Sequence, residues 1–411
     1  MDRKPFLLKP AAKDYLWGGS RLNDDFSKNI DMQPLAETWE CSTHPDGPSV
    51  IASGEFEGME LAELLRRFPE FIGEHPRSNP YLEAGELPIL IKFIDAKKDL
   101  SVQVHPDDEY ARNKEGELFG KTEMWYVLDA AKDAKLVYGF YHDMDKKKLR
   151  HSIENGTVEK YLQKVPVHRD DVFFIEAGTV HAIGAGALIV EIQENSNLTY
   201  RLYDYNRRDK QGKLRELHVD KALDVVDLRR SSEPRQPLRV LKYQRGWASE
   251  LLCRCQYFQV ERMLLNTESC REMADFYTDK NSFQVLLCTS GCGLLLYGGS
   301  GVLQFFKGDC IFVPAGSVPL KIHEITLQIL FIGNLLLFHP CLTQRAFLPI
   351  SFTGFIATDM DISGREQFQN LIHHILKKGI DTVISGTIDD LGISSSQTGE
   401  HSDIFLHYRT S

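Results

Sequence analysis

Two histidines, one carboxylate and one side-chain amide occur where they could bind a divalent metal ion. Gln103 and His105 are two residues apart in a Ser-Val-Gln-Val-His-Pro run, and residues so spaced on a β-strand share a face. Glu123 opens another strand-like run, and His181 follows a turn that contains Gly178. Nitrogen and oxygen ligands without thiolates are typical of a catalytic transition-metal site, zinc included. Each short pattern by itself is more often an ordinary polar strand face, so the prediction depends on the surrounding architecture.

The elements that must position these side chains read mostly as β-strands. Short runs rich in β-branched and aromatic residues, separated by Gly, Asp and Pro, predict a mainly β fold. Two stretches have the apolar spacing of helices: residues 61–72, with a break at Pro69, and residues 146–163, with a break at Gly156. Residues 285–293 predict a hairpin. The clearest strands are residues 88–94, 135–139 and 187–192.

An internal repeat divides the chain into two similar parts. Residues 170–181 match residues 308–319: in both copies an acidic residue, an apolar strand and an Ala-Gly turn follow in order. The second copy has Pro319 in place of His181 and lacks a Gln-x-His pair, so only the first copy is expected to bind metal. Residues 231–237, rich in Ser and Pro, predict the linker between the copies.

Composition limits the classes of function. The chain has 411 residues, a length that favours more than one domain. Its net charge of −10 argues against a nucleic-acid or membrane-surface binder. An anionic substrate would therefore need a local basic cluster. The start of the chain, Met-Asp-Arg-Lys, lacks the pattern of a signal peptide, and no apolar run is long enough to span a bilayer. The eight cysteines lack zinc-site spacing, and free thiols indicate a reducing cytoplasm.

The repeated strand–turn–strand unit resembles the second conserved box of the cupin superfamily, whose members are jelly-roll β-barrels. Longer motifs, in the same order along the chain, resemble type I mannose-6-phosphate isomerases (phosphomannose isomerases), closest to the short bacterial form, over about residues 5–333. The motifs that carry this resemblance are residues 17–19 (WGG), 37–42 (ETWECS), 100–108 (LSVQVHPDD), 120–125 (GKTEMW), 177–182 (AGTVHA) and 193–205 (QENSNLTYRLYDY).

The resemblance implies a mainly β fold of two cupin-type jelly-roll barrels with a small helical portion. The expected domains are an N-terminal catalytic barrel with a helical insertion at 1–232, a metal-free barrel at 233–335, and a short α/β-like extension at 336–411. The implied activity is metal-dependent interconversion of mannose 6-phosphate and fructose 6-phosphate through a cis-enediol. The family's motifs place one Zn²⁺ per chain on His105, Glu123 and His181, with Gln103 as the weaker ligand.

The same motifs assign Arg201, Glu191 and Lys121 to catalysis. Arg201 would stabilise the enediolate or bind anionic oxygens, or else form a surface ion pair with Asp204. Glu191 would act as the base that moves the proton, or would only orient a ligand or Arg201. Lys121 would bind the phosphate or the sugar hydroxyls, or would only form a solvated pair with Glu123.

Two tryptophans and the C-terminal extension complete the expectations. Trp17 and Trp125 would line the sugar site by stacking, or would belong to the core. Asp359 and Asp361 in the extension weakly resemble the start of a haloacid-dehalogenase-type phosphatase. Residues 362–363 are Ile-Ser where that family has Gly-Thr, and its later motifs are absent, so no phosphatase activity is expected.

Two other functions fit the metal ligands. One is a cupin-type non-haem iron oxygenase, and the other is a non-catalytic regulator that binds a sugar phosphate. The basic and amide side chains and the long motifs favour the isomerase. We expect a sugar phosphate as the small-molecule partner, no nucleic-acid or membrane partner, and a monomeric, cytoplasmic protein.

Overall fold

The computed structural model describes residues 2–208, 212–235, 240–266, 273–323 and 327–333. The chain divides into two compact units, Met1–Phe347 and Leu348–Ser411, and every described residue belongs to the first. The predicted extension at 336–411, with Asp359 and Asp361, therefore lies outside the described residues, as does part of the predicted linker. The domain boundaries at 232/233 and 335/336 stay a prediction.

The mainly β fold is confirmed, because strands make up most of the regular structure. In chain order they are β1 Phe6–Lys9, β2 Ala11–Lys13, β3 Glu37–Cys41, β4 Val50–Ile51, β5 Ile89–Ala96, β6 Val102–Val104, β7 Glu123–Ala130, β8 Lys135–Phe140, β9 Leu162–Pro166, β10 Val172–Ile175, β11 His181–Ile183, β12 Ala187–Glu194, β13 Tyr200–Tyr203, β14 Lys242–Gln244, β15 Trp247–Arg254, β16 Gln259–Leu265, β17 Ala274–Phe276, β18 Gln284–Tyr297, β19 Gly301–Phe306, β20 Cys310–Val313, β21 Leu320–His323 and β22 Leu327–Gly333.

Within the described ranges, the helices are short and all lie before residue 226. They are α1 Arg21–Asp24, α2 Leu61–Arg67, α3 Glu74–Arg77, α4 Asp108–Tyr110, α5 Lys146–Glu154 and α6 Val219–Val225, with 3₁₀ turns at Pro69–Ile72 and Val158–Lys160 and a π-helical turn at Ala111–Glu115. Among the described residues, no helix combines the length and the apolar character that crossing a bilayer requires.

Three antiparallel sheets hold the strands. Six strands form one sheet in the order β10-β7-β12-β5-β3-β2, and five form another in the order β13-β6-β11-β8-β9. The third sheet has eleven strands, and its main path runs β14-β15-β16-β22-β18-β20-β1-β4. The N-terminal strand β1 therefore lies beside β20, with Leu7 opposite Ile311.

The internal repeat is visible in the backbone. In both copies a strand, β10 or β20, leads into an Ala-Gly turn, and a second strand, β11 or β21, leaves it. The turn glycines Gly178 and Gly316 have φ angles of +88° and +63°, a region that side chains with a Cβ rarely adopt. The predicted strand–turn–strand unit is thus present twice.

The predicted hairpin is wrong, whereas the two predicted helices end close to the breaks that the sequence indicated. Residues 285–293 form no hairpin but lie within the single strand β18, where a register shift between Cys288 and Ser290 bends the strand. The predicted helix at 146–163 ends at Glu154, because Gly156 takes a φ of +65° and ends it, and the chain continues into β9. The helix predicted at 61–72 ends at Arg67 and is followed by the 3₁₀ turn that Pro69 begins.

Buried apolar side chains join the sheets into one packed body. The largest cluster takes Phe93 and Val190 from the six-stranded sheet and Val260 and Phe312 from the eleven-stranded sheet. A separate cluster, which includes Trp125 and Ile189, lies on the other face of the six-stranded sheet. The six-stranded sheet is therefore covered on both faces. The face that carries Trp125 and Ile189 packs against the five-stranded sheet.

Candidate metal centre and active site

The metal-ligand candidates come from the two sheets that face each other. In the five-stranded sheet, Gln103 lies on β6 opposite His181, the first residue of β11, and His105 directly follows the end of β6. In the six-stranded sheet, Glu123 is the first residue of β7. The alternation of strand side chains brings all four towards the space between the sheets. The structure thus brings together the four residues proposed from the sequence.

The carboxylate of Glu123 lies between the two imidazoles. Its Oε1 is 3.3 Å from Nε2 of His181, and its Oε2 is 3.8 Å from Nε2 of His105. One ligand atom from each of the three residues lies within 4.8 Å of the others. Ligand atoms around a tetrahedral zinc with bonds of 2.0–2.1 Å are about 3.3 Å apart, so the separations suit a shared ion.

Backbone carbonyl groups set the orientation of both imidazoles. Nδ1 of His105 is 2.6 Å from the carbonyl oxygen of Leu198, and Nδ1 of His181 is 2.8 Å from that of Thr179. A carbonyl oxygen only accepts hydrogen bonds, so each Nδ1 carries the proton. Each Nε2 therefore keeps a lone pair that is directed towards Glu123.

Burial keeps the imidazoles neutral. Both rings are about 1% exposed. Burial lowers the pKa of His181 to about 4, although its bond to Thr179 opposes the change. Burial, and after it the charge of Lys121, holds the pKa of His105 well below its ordinary value. Neutral imidazole is the form that binds metal.

Oε1 of the Glu123 carboxylate has no positively charged side chain paired with it among the described residues, whereas Oε2 lies beside Lys121. Burial, and then the charge of Glu191, raise the pKa of Glu123 to about 7 against the opposing effect of Lys121. Within the described part of the chain, neither Oε1 of Glu123 nor Nε2 of His105 has a hydrogen-bond partner. Buried polar atoms are rarely left in this state, and a divalent cation would satisfy both at once. The donor set therefore fits a metal ion.

Gln103 lies at the edge of this group. Its side-chain nitrogen is 3.4 Å from Nε2 of His181, and the residue is partly exposed while the other three are buried. The role of Gln103 as a weaker fourth ligand stays a prediction.

A buried cluster of charges extends the site along the six-stranded sheet. Nζ of Lys121 lies 3.0 Å from Oε2 of Glu123 and 3.8 Å from Oε1 of Glu191, and Nζ of Lys92 lies 3.2 Å from the same Glu191 oxygen. Burial alone would raise the pKa of Glu191, but the two ammonium groups outweigh it and lower this pKa to about 2. Lys121 is only 4% exposed, so the expectation of a solvated pair with Glu123 is not met.

The tryptophans proposed for the sugar site are both buried. Trp125 meets His181 edge to face with ring centroids 5.4 Å apart, and its indole nitrogen donates to Glu191 over 3.0 Å. Trp125 therefore packs against the metal ligands and orients Glu191. Trp17 is 4% exposed and belongs to the same apolar cluster.

Arg201 lies on β13, next to β6 in the five-stranded sheet. Its Nε donates to the hydroxyl of Ser101 over 3.3 Å, and its NH1 donates to the carbonyl of Glu216 over 2.8 Å. Asp204 pairs instead with Arg207 and Arg215, and no Arg201–Asp204 ion pair is observed among the described residues. Burial, followed by the nearby charge of Arg215, lowers the pKa of Arg201.

Sequence reasoning missed Lys92 and the two additional arginines. A signal for Lys92 was present, because a lysine interrupts the apolar run Ile-Leu-Ile-Lys-Phe-Ile that forms β5. Lysines are almost never fully buried unless paired, and Lys92 indeed lies between Glu37 and Glu191. Arg207 and Arg215 left no such signal, because they lie in irregular segments rich in charges.

Comparison with known proteins identifies the family. Residues 6–137 match the family described as phosphomannose isomerase type I, catalytic domain. The mannose-6-phosphate isomerase ManA of Bacillus subtilis (strain 168) is 37% identical over 322 residues, which are 78% of this chain and 96% of the relative. The chain belongs to the type I phosphomannose isomerase family. The mannose-6-phosphate isomerase of Streptococcus mutans is 40% identical over 225 residues, covering 55% of this chain and 68% of that relative.

Solved structures of phosphomannose isomerases share the fold. The mannose 6-phosphate isomerase of Bacillus subtilis superimposes with a TM-score of 0.71 and 32% identity, over 80% of this chain and 99% of that structure. A zinc-bound mannose 6-phosphate isomerase gives a TM-score of 0.63 at 16% identity, over 81% of this chain and 100% of that structure. At that identity the second comparison concerns the fold alone.

Proposed function

We propose that this chain is a metal-dependent aldose–ketose isomerase that interconverts mannose 6-phosphate and fructose 6-phosphate. The proposal rests on the buried cluster of His105, Glu123 and His181. In this cluster, Oε1 of Glu123 and Nε2 of His105 have no hydrogen-bond partner among the described residues. The names of the relatives, among them ManA of Bacillus subtilis, support the choice of substrate.

Zinc is the ion proposed for this site, one per chain. Two neutral imidazoles and one carboxylate leave a position open, as in catalytic zinc sites, and Gln103 lies close enough to occupy or to border it. When bound, the ion would stabilise the negative charge that develops on the substrate oxygens at C1 and C2.

Glu191 is proposed to move the proton between C2 and C1 through the cis-enediol. The ammonium groups of Lys121 and Lys92 keep its carboxylate unprotonated, which is the form that a base requires. In the alternative role, Glu191 only orients a ligand or Arg201. Glu191→Gln separates the two roles: loss of the base abolishes exchange of the C2 proton with deuterated solvent, whereas loss of an orienting partner slows exchange and keeps it measurable.

The phosphate is proposed to bind beside three arginines, two of which contact the carboxylate of Asp204. Arg207 and Arg215 both contact Oδ1 of Asp204, and Arg201 stands beside them on β13. One carboxylate against three guanidinium groups leaves a positive local charge in a chain whose net charge is −10. Guanidinium groups bind phosphate oxygens in pairs, and a held phosphate would fix the position of C1 and C2.

The state of the cysteines supports a proposal about the cellular compartment. Cys41, Cys253, Cys288 and Cys310 are buried free thiols, which suits the reducing cytoplasm. We propose that the chain acts there as a monomer. Sedimentation at micromolar concentration tests this, and a stable dimer would contradict it.

The test of the function uses the purified full-length chain. Its metal content is determined, and mannose 6-phosphate is then followed by NMR in deuterated water. Zinc together with deuterium-containing fructose 6-phosphate is the expected result. Iron with consumption of oxygen would overturn the proposal in favour of an oxygenase, and tight binding of the sugar phosphate without product would overturn it in favour of a regulator.

A further inference from the structure

The loop that follows β12 supplies the carbonyl group that orients His105. This loop, residues 195–199, connects β12 to β13 and carries Leu198, whose carbonyl oxygen lies 2.6 Å from Nδ1 of His105. A carbonyl contributed by a loop has no ladder of strand hydrogen bonds to hold it. The position of the Leu198 carbonyl therefore depends on the contacts that fix the conformation of the loop.

Gln193 shapes this loop from inside the core. Its side-chain amide nitrogen donates to the carbonyl of Glu194 over 2.8 Å and to the carbonyl of Ser196 over 2.5 Å. Both partners only accept hydrogen bonds, so the amide nitrogen must face them and the orientation of the amide is settled. The side chain is fully buried and therefore has little freedom to leave these two carbonyls.

The amide oxygen of Gln193 has no comparable role. Oε1 is buried and has no hydrogen-bond partner among the described residues. A buried acceptor left in this state destabilises a fold, so an apolar side chain of similar length would suit the core at least as well. The presence of glutamine is explained by its two donors. Gln193 also pairs in register with Glu123 across β12 and β7, which places it beside a second metal ligand.

We propose that Gln193 is a positioning residue for the metal centre: its two amide hydrogen bonds hold the loop that presents the Leu198 carbonyl to His105 and thereby keep Nε2 of His105 free to bind the metal. The inference rests on the metal site of the proposed function. It assigns Gln193 no contact with the substrate.

Outer partners of this kind matter because they fix the tautomer and the angle of the imidazole. Their loss typically lowers metal affinity or activity about 10- to 100-fold. A second tether of the same loop has its own contact, because the side-chain amide of Asn197 donates to Oδ2 of Asp46 over 2.8 Å. This contact is exposed and acts on the outer side of the loop, so its loss should lower the affinity less.

The experiment compares Gln193→Met with a matched control, Gln163→Met. Gln163 lies on β9, and its nearest amide contact, with the carbonyl of Ser232, is long at 3.5 Å. Zn²⁺ affinity is measured on full-length, metal-stripped protein by competition with a chromogenic chelator. The tautomer of His105 is read from the nitrogen chemical shifts of the metal-free protein, with the signal assigned through His105→Gln.

We expect Gln193→Met to lower Zn²⁺ affinity about 10- to 100-fold and to shift His105 from one tautomer to a mixture, while Gln163→Met changes neither. A variant that only melts at a lower temperature, with Zn²⁺ affinity within threefold of the parent and an unchanged His105 signal, would overturn the proposal. If Gln193→Met does not fold, Gln193→Leu, which also lacks the two amide donors, carries the test, and an affinity within threefold of the parent with an unchanged His105 signal counts against the proposal. Neither readout needs turnover, so a chain that binds Zn²⁺ but does not isomerise would refute the proposed function alone.

Discussion

Lys28→Met tests how much a buried ion pair stabilises the six-stranded sheet in the folded protein. Nζ of Lys28 lies 2.7 Å from Oε2 of Glu40, and the two side chains are 7% and 0% exposed. The same ammonium donates to the carbonyl of Gly308, in the turn before β20. One buried charge therefore links the loop after α1, strand β3 of the six-stranded sheet, and the eleven-stranded sheet.

The size of the effect follows from burial. Removing one partner of a buried ion pair costs about 3–5 kcal/mol, because the other charge is left uncompensated. Burial already raises the pKa of Glu40, and without Lys28 this pKa rises further. The folded state then binds a proton that the unfolded state releases above about pH 4.3, so the loss grows as pH rises. We expect a loss of about 3–5 kcal/mol at pH 8 and less than about 2 kcal/mol at pH 5.

Urea unfolding of the full chain at both pH values measures these losses. The set comprises the parent, Lys28→Met, Glu40→Gln and the double variant. Because the double variant buries no charge, it should lie within about 1.5 kcal/mol of the parent, which gives a large favourable coupling energy. A Lys28→Met variant that loses less than about 1 kcal/mol at both pH values would refute the reasoning about the buried charge.

The remaining predictions concern the site and its surroundings. His181→Ala should lose bound metal and turnover together, as metal analysis and product formation would show. Arg201→Ala should keep the metal and lower kcat about 100-fold, and a normal kcat would contradict its role on anionic oxygens. Gly120→Ala should lower kcat, because a Cβ at Gly120 would lie 2.3 Å from the backbone carbon of Asp107 and displace the loop that carries Lys121. A chain that ends at Gly333 should keep its activity, and an inactive but folded product would contradict this.

Much of the candidate site could be predicted from the sequence, because its signals are local. Strand alternation put Gln103 and His105 on one face, and the Gly178 turn marked the start of the strand with His181. The arrangement across the two sheets required the family resemblance, since no local pattern reports that β6 and β7 face each other. The structure then added distances that agree with a shared ion.

The features that were not predicted depend on contacts between distant parts of the chain. The buried pair of Lys28 and Glu40 and the ion pairs of Lys92 form only when separate elements meet. The apolar run around Lys92 signals a buried lysine but does not show which carboxylates it pairs with. The hairpin predicted at 285–293 failed for a related reason. Gly291 has a φ of +82°, as in a tight turn, but residues 284–291 pair with β22 and residues 292–297 pair with β19, which keeps the chain running on as one strand.

The position of β1 has a consequence for biosynthesis. Phe6–Lys9 leave the ribosome long before one of their strand neighbours, β20, which is made some 300 residues later. Loops of that length close slowly, so the nascent chain must keep an apolar strand unpaired on that side until β20 has been made. A fusion partner that holds the amino terminus away from the rest of the chain should therefore slow folding and increase aggregation more than the same partner placed elsewhere.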